Sequence, residues 1–393
     1  MRRRGDLRDV VVVGGGVVGA ACALALSRLD LDVVLVEAAQ PPAWSAERPD
    51  LRVYAFAPDN AALFDALGTW PPVRDARVQP YRRMQVWDAA GGDALVFDAD
   101  ALARCELGWI VEHALLADRL WTALQRSPVD LRCPARVESL AQDDAGVRLR
   151  LDEGSQVAAR IAIAADGAAS TLRTLAGIDA PVHDHGQKGV VAYVDCQYPH
   201  EATAWQRFLP TGPLALLPFA DGRVSIVWTL PDDAAARVLA LDGEAFSREL
   251  TAASGGRLGT LRVSSPRAAF PLRRQLSATQ CAGRVLVIGD AAHVVHPLAG
   301  QGVNLGLRDV SALQAMVTAA HARRADWHAP TRLARWARTR RSENAVAAHA
   351  FDGINALFSN DAMPTTLLRG HLLGAANRLP MVTAALWRRA AGL

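Results

Sequence analysis

The hydrophobic pattern is clearest at the start of the chain. Val10 to Val13 form a β-branched run that ends in glycine, which is typical of a buried parallel strand. Gly16 to Arg28 follow as a helix of small residues, and Asp32 to Val36 as a second apolar run. Together these segments predict a strand–helix–strand unit.

The middle of the chain alternates apolar and polar positions at a spacing of two, as half-buried strands do. Short turns rich in glycine and proline separate the segments, which predicts an antiparallel sheet. Its strands are expected at Val190 to Cys196, Ala204 to Leu209, Leu214 to Phe219 and Arg223 to Leu230. A buried-strand pattern returns at Arg284 to Ile288, and beyond Leu298 the pattern is mostly helical.

The chain therefore begins in an α/β domain, passes through a second domain and then returns to the α/β domain. We expect an α/β fold in which a mostly antiparallel β-sheet domain is inserted, followed by a helical C-terminus. The expected segments are 1–75, 99–180 and 270–345 for the α/β domain, 76–98 and 181–269 for the inserted substrate domain, and 346–393 for the C-terminal helices.

Composition narrows the class of protein. Apolar residues make up 51% and charged residues 21%, as in soluble globular enzymes, and a net charge of +3 gives no reason to expect nucleic acid as a partner. The five cysteines form no C-x-x-C pair, which argues against a zinc site and for a reducing compartment. Val10 to Leu26 imitates a signal peptide, but Asp9 and four glycines favour a strand–turn–helix. We expect a cytoplasmic protein without a metal site.

The first chemical motif is a G-x-G-x-x-G between the first strand and helix. Gly14 permits the tight turn, Gly16 lets a pyrophosphate approach the backbone beside Val18, and Gly19 lets the helix pack on the strand. Glu37 ends the second strand, where an acidic side chain binds ribose hydroxyls. The motif predicts dinucleotide binding without separating FAD from NAD.

A second motif favours FAD. Asp290 follows the strand at Arg284 to Ile288, in a position that suits the ribityl hydroxyls of a flavin. A glycine-rich turn then leads into a helix whose N-terminus stabilises negative charge on the reduced ring. The candidate cofactor residues of this segment are Gly289, Asp290, Gly300, Gln301, Gly302, Val303 and Asn304.

The segment from Gly289 to Gly306 closely resembles the signature of the class A flavoprotein monooxygenases, and within them of the ubiquinone-biosynthesis hydroxylases. Two further elements match the same family. Asp166-Gly167, with Ser170 and Arg173, resembles its "DG" motif, and Asp50-Leu51-Arg52 resembles the segment whose arginine approaches the flavin. Asp166 and Arg52 are therefore candidate cofactor residues.

The resemblance implies a Rossmann-like FAD-binding domain of the glutathione-reductase type. It implies that NADPH or NADH binds transiently and reduces FAD, and that O2 then forms a flavin C4a-hydroperoxide. The substrate implied is a polyprenylated phenol of ubiquinone biosynthesis. His296 and Pro297, in the flavin loop, are the catalytic candidates. For His296, as for His293, the alternative is a structural histidine bonded to nearby backbone.

Other functions remain open at this stage. A related hydroxylase of a small soluble aromatic or natural product shares all the flavin motifs. A non-catalytic FAD-binding scaffold of a biosynthetic complex would have no need of the flavin loop. A flavin halogenase would need a lysine and a tryptophan-rich motif near the first third of the chain, but Lys188, the only lysine, lies outside that region. The basic, amphipathic stretch Thr365 to Leu393 either packs on the domain or docks on a partner or on the inner membrane.

Overall fold

A computed structural model describes residues 7–295, 302–358 and 379–392 of the chain. The helices run α1 Val17–Ser27, α2 Pro58–Ala66, α3 Trp70–Arg77, α4 His113–Gln125, α5 Thr171–Leu175, α6 Asp232–Ala240, α7 Gly243–Ser254, α8 Gly302–Ala322, α9 Pro330–Phe358 and α10 Pro380–Ala391. The strands run β1 Arg8–Val13, β2 Val33–Val36, β3 Val53–Phe56, β4 Gln79–Tyr81, β5 Arg83–Asp88, β6 Leu95–Asp98, β7 Gly108–Glu112, β8 Asp130–Arg132, β9 Val137–Gln142, β10 Val147–Leu151, β11 Gln156–Ala164, β12 Val182–Cys196, β13 Thr203–Leu209, β14 Gly212–Pro218, β15 Val224–Pro231, β16 Leu261–Val263, β17 Ala268–Leu276, β18 Cys281–Ala282, β19 Val285–Val287 and β20 His293–Val294.

The first sheet has the order β18-β19-β11-β1-β2-β8, and the strands from β19 to β8 are parallel. The residues Val10 to Val13 of β1 are apolar on both faces of the strand, because other elements cover both faces of the sheet there. Val10 and Val12 pack with α1, α4 and α8, whereas Val11 and Val13 face the antiparallel meander of β9 and β10. The strand–helix–strand start is thus confirmed, with its carboxyl ends at one edge of the sheet.

The second sheet has the order β20-β17-β12-β15-β14-β13-β5-β6, and β16 also pairs with β12. Its neighbours are antiparallel except β13 and β5, which are parallel with Gln206 opposite Val86. Helices α6 and α7 cover one face, where Phe246 and Leu250 are fully buried. The mostly antiparallel second sheet is confirmed.

Strand β12 is longer than the hydrophobic pattern predicts. β12 begins at Val182, eight residues before the expected Val190, because its first residues are exposed and polar while their backbone pairs with β17. After residue 302 the described chain is helical, as expected. Of the C-terminal stretch 365–393, only 379–392 are described, and the boundaries between the segments of the two domains stay predictions.

Among the described helices, none combines the length and apolar composition that a membrane span needs.

Candidate cofactor-binding site

A cavity of about 530 Å³ lies at the carboxyl edge of the first sheet. The carboxyl ends of β19, β11, β1 and β2 lie in a row in the sheet. Asp290 follows β19 and Glu37 follows β2, so these two residues lie at opposite ends of the row. Three interstrand steps of about 4.8 Å separate these ends by roughly 14 Å, which suits an extended dinucleotide. The sequence-predicted residues that line the cavity are Gly14, Gly16, Val18, Glu37, Arg52, Asp166, Asp290 and Val303.

The glycine loop is shaped by close backbone contacts. Gly14 has φ +105°, and a Cβ there would lie 2.3 Å from the carbonyl oxygen of Ala165. A Cβ at Gly19 would lie 2.0 Å from the Gly14 carbonyl oxygen, so Gly19 serves the packing of α1 on β1 and does not line the cavity. A Cβ at Gly16 would have no neighbouring atom within 4 Å, so the backbone of Gly16 is open to the cavity. The free amides of the first turn of α1 then favour a pyrophosphate.

Glu37 is oriented by the same loop. One carboxylate oxygen accepts the amide of Gly15, and the other accepts the amide of Ala39 at 3.0 Å. A carboxylate has about four acceptor positions, so two remain for ribose hydroxyls. Arg136, exposed at the same end of the cavity, is a lining residue for which the sequence carries no signal.

The "DG" segment joins two motifs. Asp166 accepts the amide of Leu172 at 3.1 Å and the hydroxyl of Ser170, which itself caps α5. The buried guanidinium of Arg173 donates to the carbonyl oxygens of Ala168 at 2.9 Å and Ala291 at 3.0 Å. Arg173 therefore ties the segment after β11 to the turn that carries Asp290.

The loop that carries Arg52 is clamped from two sides. Its Asp50 amide donates to buried Glu112 at 2.8 Å, and the Tyr193 hydroxyl donates to the Asp50 carbonyl at 2.6 Å. Arg77 forms two hydrogen bonds with Glu112, at 2.8 and 3.0 Å. A small three-stranded sheet of order β3-β7-β4, which carries Glu112, and the second sheet, which carries Tyr193, thus fix the backbone from which Arg52 enters the cavity.

Tyr54 and His113 also line the cavity, beside Arg52. The Tyr54 hydroxyl lies 3.0 Å from His113 Nδ1, and the Arg52 guanidinium lies 5.4 Å from the Tyr54 ring centre. Burial, with the Arg52 charge, lowers the pKa of His113 to about 4, and burial raises the pKa of Tyr54. Neutral Tyr54 and the neutral imidazole of His113 therefore share one hydrogen bond at the wall of the cavity. Sequence reasoning missed both residues, because no motif marks them.

The turn that carries Asp290 rests on a buried carboxylate of α8. Asp309 accepts the Gly289 amide at 3.1 Å and His293 Nε2 at 2.7 Å. It also accepts Arg340 Nε at 2.8 Å and Asn344 Nδ2 at 3.0 Å. Burial opposes its ionisation, but these partners hold the pKa of Asp309 below its usual value. His293 is therefore bonded to a carboxylate, not to backbone as the structural alternative expected.

The other predicted cofactor residues around this turn are mostly packing residues or lie outside the described part of the chain. Asn304 is fully buried; its side chain accepts the Ala57 amide at 3.1 Å and donates to the Ala55 carbonyl at 2.8 Å, so it holds α8 against β3 and does not line the cavity. Gly289 is likewise a packing residue, since a Cβ there would lie 3.1 Å from Val18. Gly302 begins α8. The candidates outside the described residues are His296, Pro297, Gly300 and Gln301.

The fold and the row of strand ends define a dinucleotide-binding protein. Residues 8–346 match the family model described as "FAD binding domain". "Ubiquinone hydroxylase UbiL" of Rhodospirillum rubrum is 37% identical over 385 residues, covering 98% of this chain and 89% of that protein. The "3-demethoxyubiquinol 3-hydroxylase" of Escherichia coli is 35% identical over 390 residues, covering 98% of each. The chain therefore belongs to the FAD-binding domain family and, within it, to the ubiquinone-biosynthesis hydroxylases.

Solved structures agree on the fold. The p-nitrophenol 4-monooxygenase PnpA of Pseudomonas putida superposes with a TM-score of 0.78 at 20% identity, covering 98% of each chain. Klebsiella pneumoniae HpxO, complexed with FAD and uric acid, gives a TM-score of 0.74 at 20% identity, also covering 98% of each chain. The FAD-binding fold class predicted from the motifs is confirmed.

Proposed function

We propose that this protein is an FAD-dependent aromatic hydroxylase that uses NADH or NADPH and O2, and that it acts on a polyprenylated phenol in ubiquinone biosynthesis. The observation that carries the proposal is the identity of 35% and 37%, over nearly the whole chain, to two hydroxylases of ubiquinone or its precursors. The cofactor cavity supports it, since its lining runs from a ribose-type carboxylate to a ribityl-type carboxylate.

Bound FAD supplies the redox chemistry and the activation of oxygen, which no amino-acid side chain performs. The residues of this chain bind and orient it. Glu37 and the first turn of α1 hold the adenosine and pyrophosphate part, and Asp290 holds the ribityl part. The N-terminus of α8, which begins at Gly302, stabilises negative charge on the reduced ring.

Two groups act nearer to the ring in this proposal. Arg52 contributes a fixed cation from the clamped loop, and His113 contributes a neutral imidazole from the start of α4. His296 and Pro297 remain the proposed catalytic residues of the flavin loop, and Gly300 and Gln301 its proposed backbone contacts. Few acid–base side chains are required, because the protein's main tasks are to position the ring and exclude water.

The preference for a prenylated phenol rests on the identity to the two ubiquinone-pathway hydroxylases. Ala204, Ala215 and Leu217 of the second sheet pack against Ala55 and Ile110 of the three-stranded sheet β3-β7-β4, which holds the two sheets together. A hydroxylase of a small aromatic acid would need an arginine or a hydroxyl pair in its substrate pocket to bind the carboxylate.

Access to a lipid-like substrate leads to a second part of the proposal. Helix α10 buries Trp387 and Ala391 against the body of the protein, while Leu379, Met381 and Leu386 are exposed. Its last turn carries Arg388 and Arg389, both exposed. Exposed apolar residues beside arginines favour a peripheral contact with an anionic membrane surface, here the inner membrane, and less directly with a partner protein.

Deletion of the gene followed by lipid extraction and mass spectrometry tests the proposal. We expect a polyprenylated phenol that lacks one ring hydroxyl to accumulate, and complementation to remove it. A normal ubiquinone profile with accumulation of a small soluble aromatic would favour the related hydroxylase. A scaffold is distinguished by purified protein whose bound flavin is not bleached by NADH or NADPH.

A further inference from the structure

A buried tyrosine of the second sheet is bonded to the loop that presents Arg52. Tyr193 lies in β12 and is only 1% exposed, and its hydroxyl donates to the Asp50 carbonyl oxygen at 2.6 Å. Burial, together with the negative charges of Glu112 and Asp50, raises the pKa of Tyr193. The hydroxyl is therefore protonated at neutral pH and is a constant donor to the Arg52 loop.

Asp50 connects this bond to two groups of the cofactor cavity. Its carboxylate accepts the Arg52 amide at 2.9 Å and, in the first turn of α4, the Ala114 amide at 3.0 Å. The Arg52 carbonyl oxygen in turn accepts the His113 amide at 2.9 Å. Because Arg52 and His113 both line the cavity, a shift of Asp50 would move both groups. Tyr193 lies outside that lining, so any effect on the cofactor passes through Asp50.

The ring of Tyr193 is held by the turn between β14 and β15. The ring centres of Phe219 and Tyr193 lie 4.7 Å apart, and the Arg223 guanidinium lies 4.8 Å from the Tyr193 ring centre. Asp221, in the same turn, pairs with Arg223 at 2.6 Å. Tyr193→Phe would keep these ring contacts and remove the bond to Asp50. The role of the hydroxyl can therefore be separated from the packing of the ring.

We propose that Tyr193 is a positioning residue for the cofactor: through Asp50 it holds the Arg52 guanidinium towards the flavin ring, and it thereby increases the preference of the protein for reduced over oxidised FAD. The inference rests on the proposed function, which places Arg52 near the ring. Negative charge develops on the ring when it is reduced, so a fixed cation stabilises the reduced form more than the oxidised form. A guanidinium on a loosened loop gives less of this stabilisation, because water screens its charge.

The test measures the midpoint potential of protein-bound FAD with a chemical reductant, so it needs neither a nicotinamide nucleotide nor a substrate. Tyr193→Phe should lower the preference for reduced FAD about fivefold, as expected for one lost hydrogen bond, which corresponds to a potential about 20 mV more negative. The affinity for oxidised FAD should change by less than about twofold. Tyr198→Phe is the matched control, because Tyr198 follows β12 and is 53% exposed; it should leave the potential unchanged.

A double-variant cycle shows whether Tyr193 acts through Arg52. Arg52→Gln alone should make the potential more negative, and adding Tyr193→Phe should cause no further change. A full additional shift in the Arg52→Gln background would overturn the inference. So would an unchanged potential in Tyr193→Phe, or a Tyr193→Phe protein that no longer folds; in these cases the proposed function stands. A potential that Arg52→Gln itself leaves unchanged would overturn both the inference and the proposed position of Arg52.

Discussion

The carboxylate of Asp309 accepts a hydrogen bond from His293 Nε2 at 2.7 Å, and both side chains are almost completely buried. Because the same carboxylate also accepts the Gly289 amide, a residue of α8 fixes both ends of the turn that presents Asp290. The guanidinium of Arg340 compensates the negative charge of Asp309. A buried ion pair thus serves the positioning of the cofactor turn.

The first prediction concerns this carboxylate. Asp309→Asn leaves the buried Arg340 with only Glu343, a mostly exposed carboxylate, as its counter-charge, so the free energy of unfolding should fall by about 3–5 kcal/mol. FAD affinity should fall as well, because the Gly289 turn loses its acceptor. Urea unfolding and FAD titration measure the two effects.

Two variants serve as controls for the Asp309 prediction. Asp326→Asn, on a half-exposed side chain, should change stability by less than about 0.5 kcal/mol. Adding Arg340→Met to Asp309→Asn should recover part of the loss, since it removes the buried cation that Asp309 no longer neutralises. A double variant as unstable as the sum of the single variants would contradict a direct pairing.

The second prediction concerns Asp290. Asp290→Ala should remove a charge-assisted hydrogen bond to the ribityl chain, worth about 1.5–3 kcal/mol. The FAD dissociation constant should therefore rise by roughly one to two decades. Asp75→Ala, on an exposed side chain outside the cavity lining, is the control. Unchanged FAD affinity in Asp290→Ala would remove this residue from the site.

The third prediction is a pH dependence caused by His113. The folded protein lowers the pKa of this histidine from 6.5 to about 4, so between these values the unfolded chain binds the proton more readily. Stability is therefore fully present above pH 6.5 and is lost as the pH falls towards 4, by up to about 3 kcal/mol.

His113→Gln keeps a partner for the Tyr54 hydroxyl but does not titrate, so its loss of stability on acidification should be smaller than that of the wild type. Unfolding free energies at about pH 7 and pH 4.5 give the comparison. His321→Gln, on an exposed residue of α8, should follow the wild type. Identical pH profiles for wild type and His113→Gln would show that His113 is not held neutral.

The local part of the fold was predictable from sequence. The strand–helix–strand start, the glycine loop and the placement of Glu37, Asp166 and Asp290 after strands follow from contiguous motifs. Parallel strands then bring these side chains to one edge. The family resemblance added Arg52, whose position in the cavity depends on contacts of its loop with the second sheet and with the small sheet β3-β7-β4.

The rest depends on contacts that no local pattern encodes. Tyr54 and His113 belong to β3 and α4 and meet only through tertiary packing. Arg340 has the helical context of a solvated arginine, yet it is buried on Asp309, 31 residues away. Asn304 lies in the flavin signature but serves packing, because its amide matches the backbone of β3. The motifs therefore identified which segments form the cofactor site, but they did not identify the structural role of each side chain within those segments.

The measurement that tests the central claim most directly is hydroxylation by the purified, FAD-loaded protein under isotopically heavy O2. Phenols of increasing prenyl length are supplied with NADPH or NADH, and the products are analysed by mass spectrometry. We expect one heavy oxygen atom in the ring, and kcat/KM that rises with tail length, because each buried CH2 contributes about 0.8 kcal/mol. A short aromatic acid as the best substrate, with no gain from prenylation, or a product without heavy oxygen, would contradict the account.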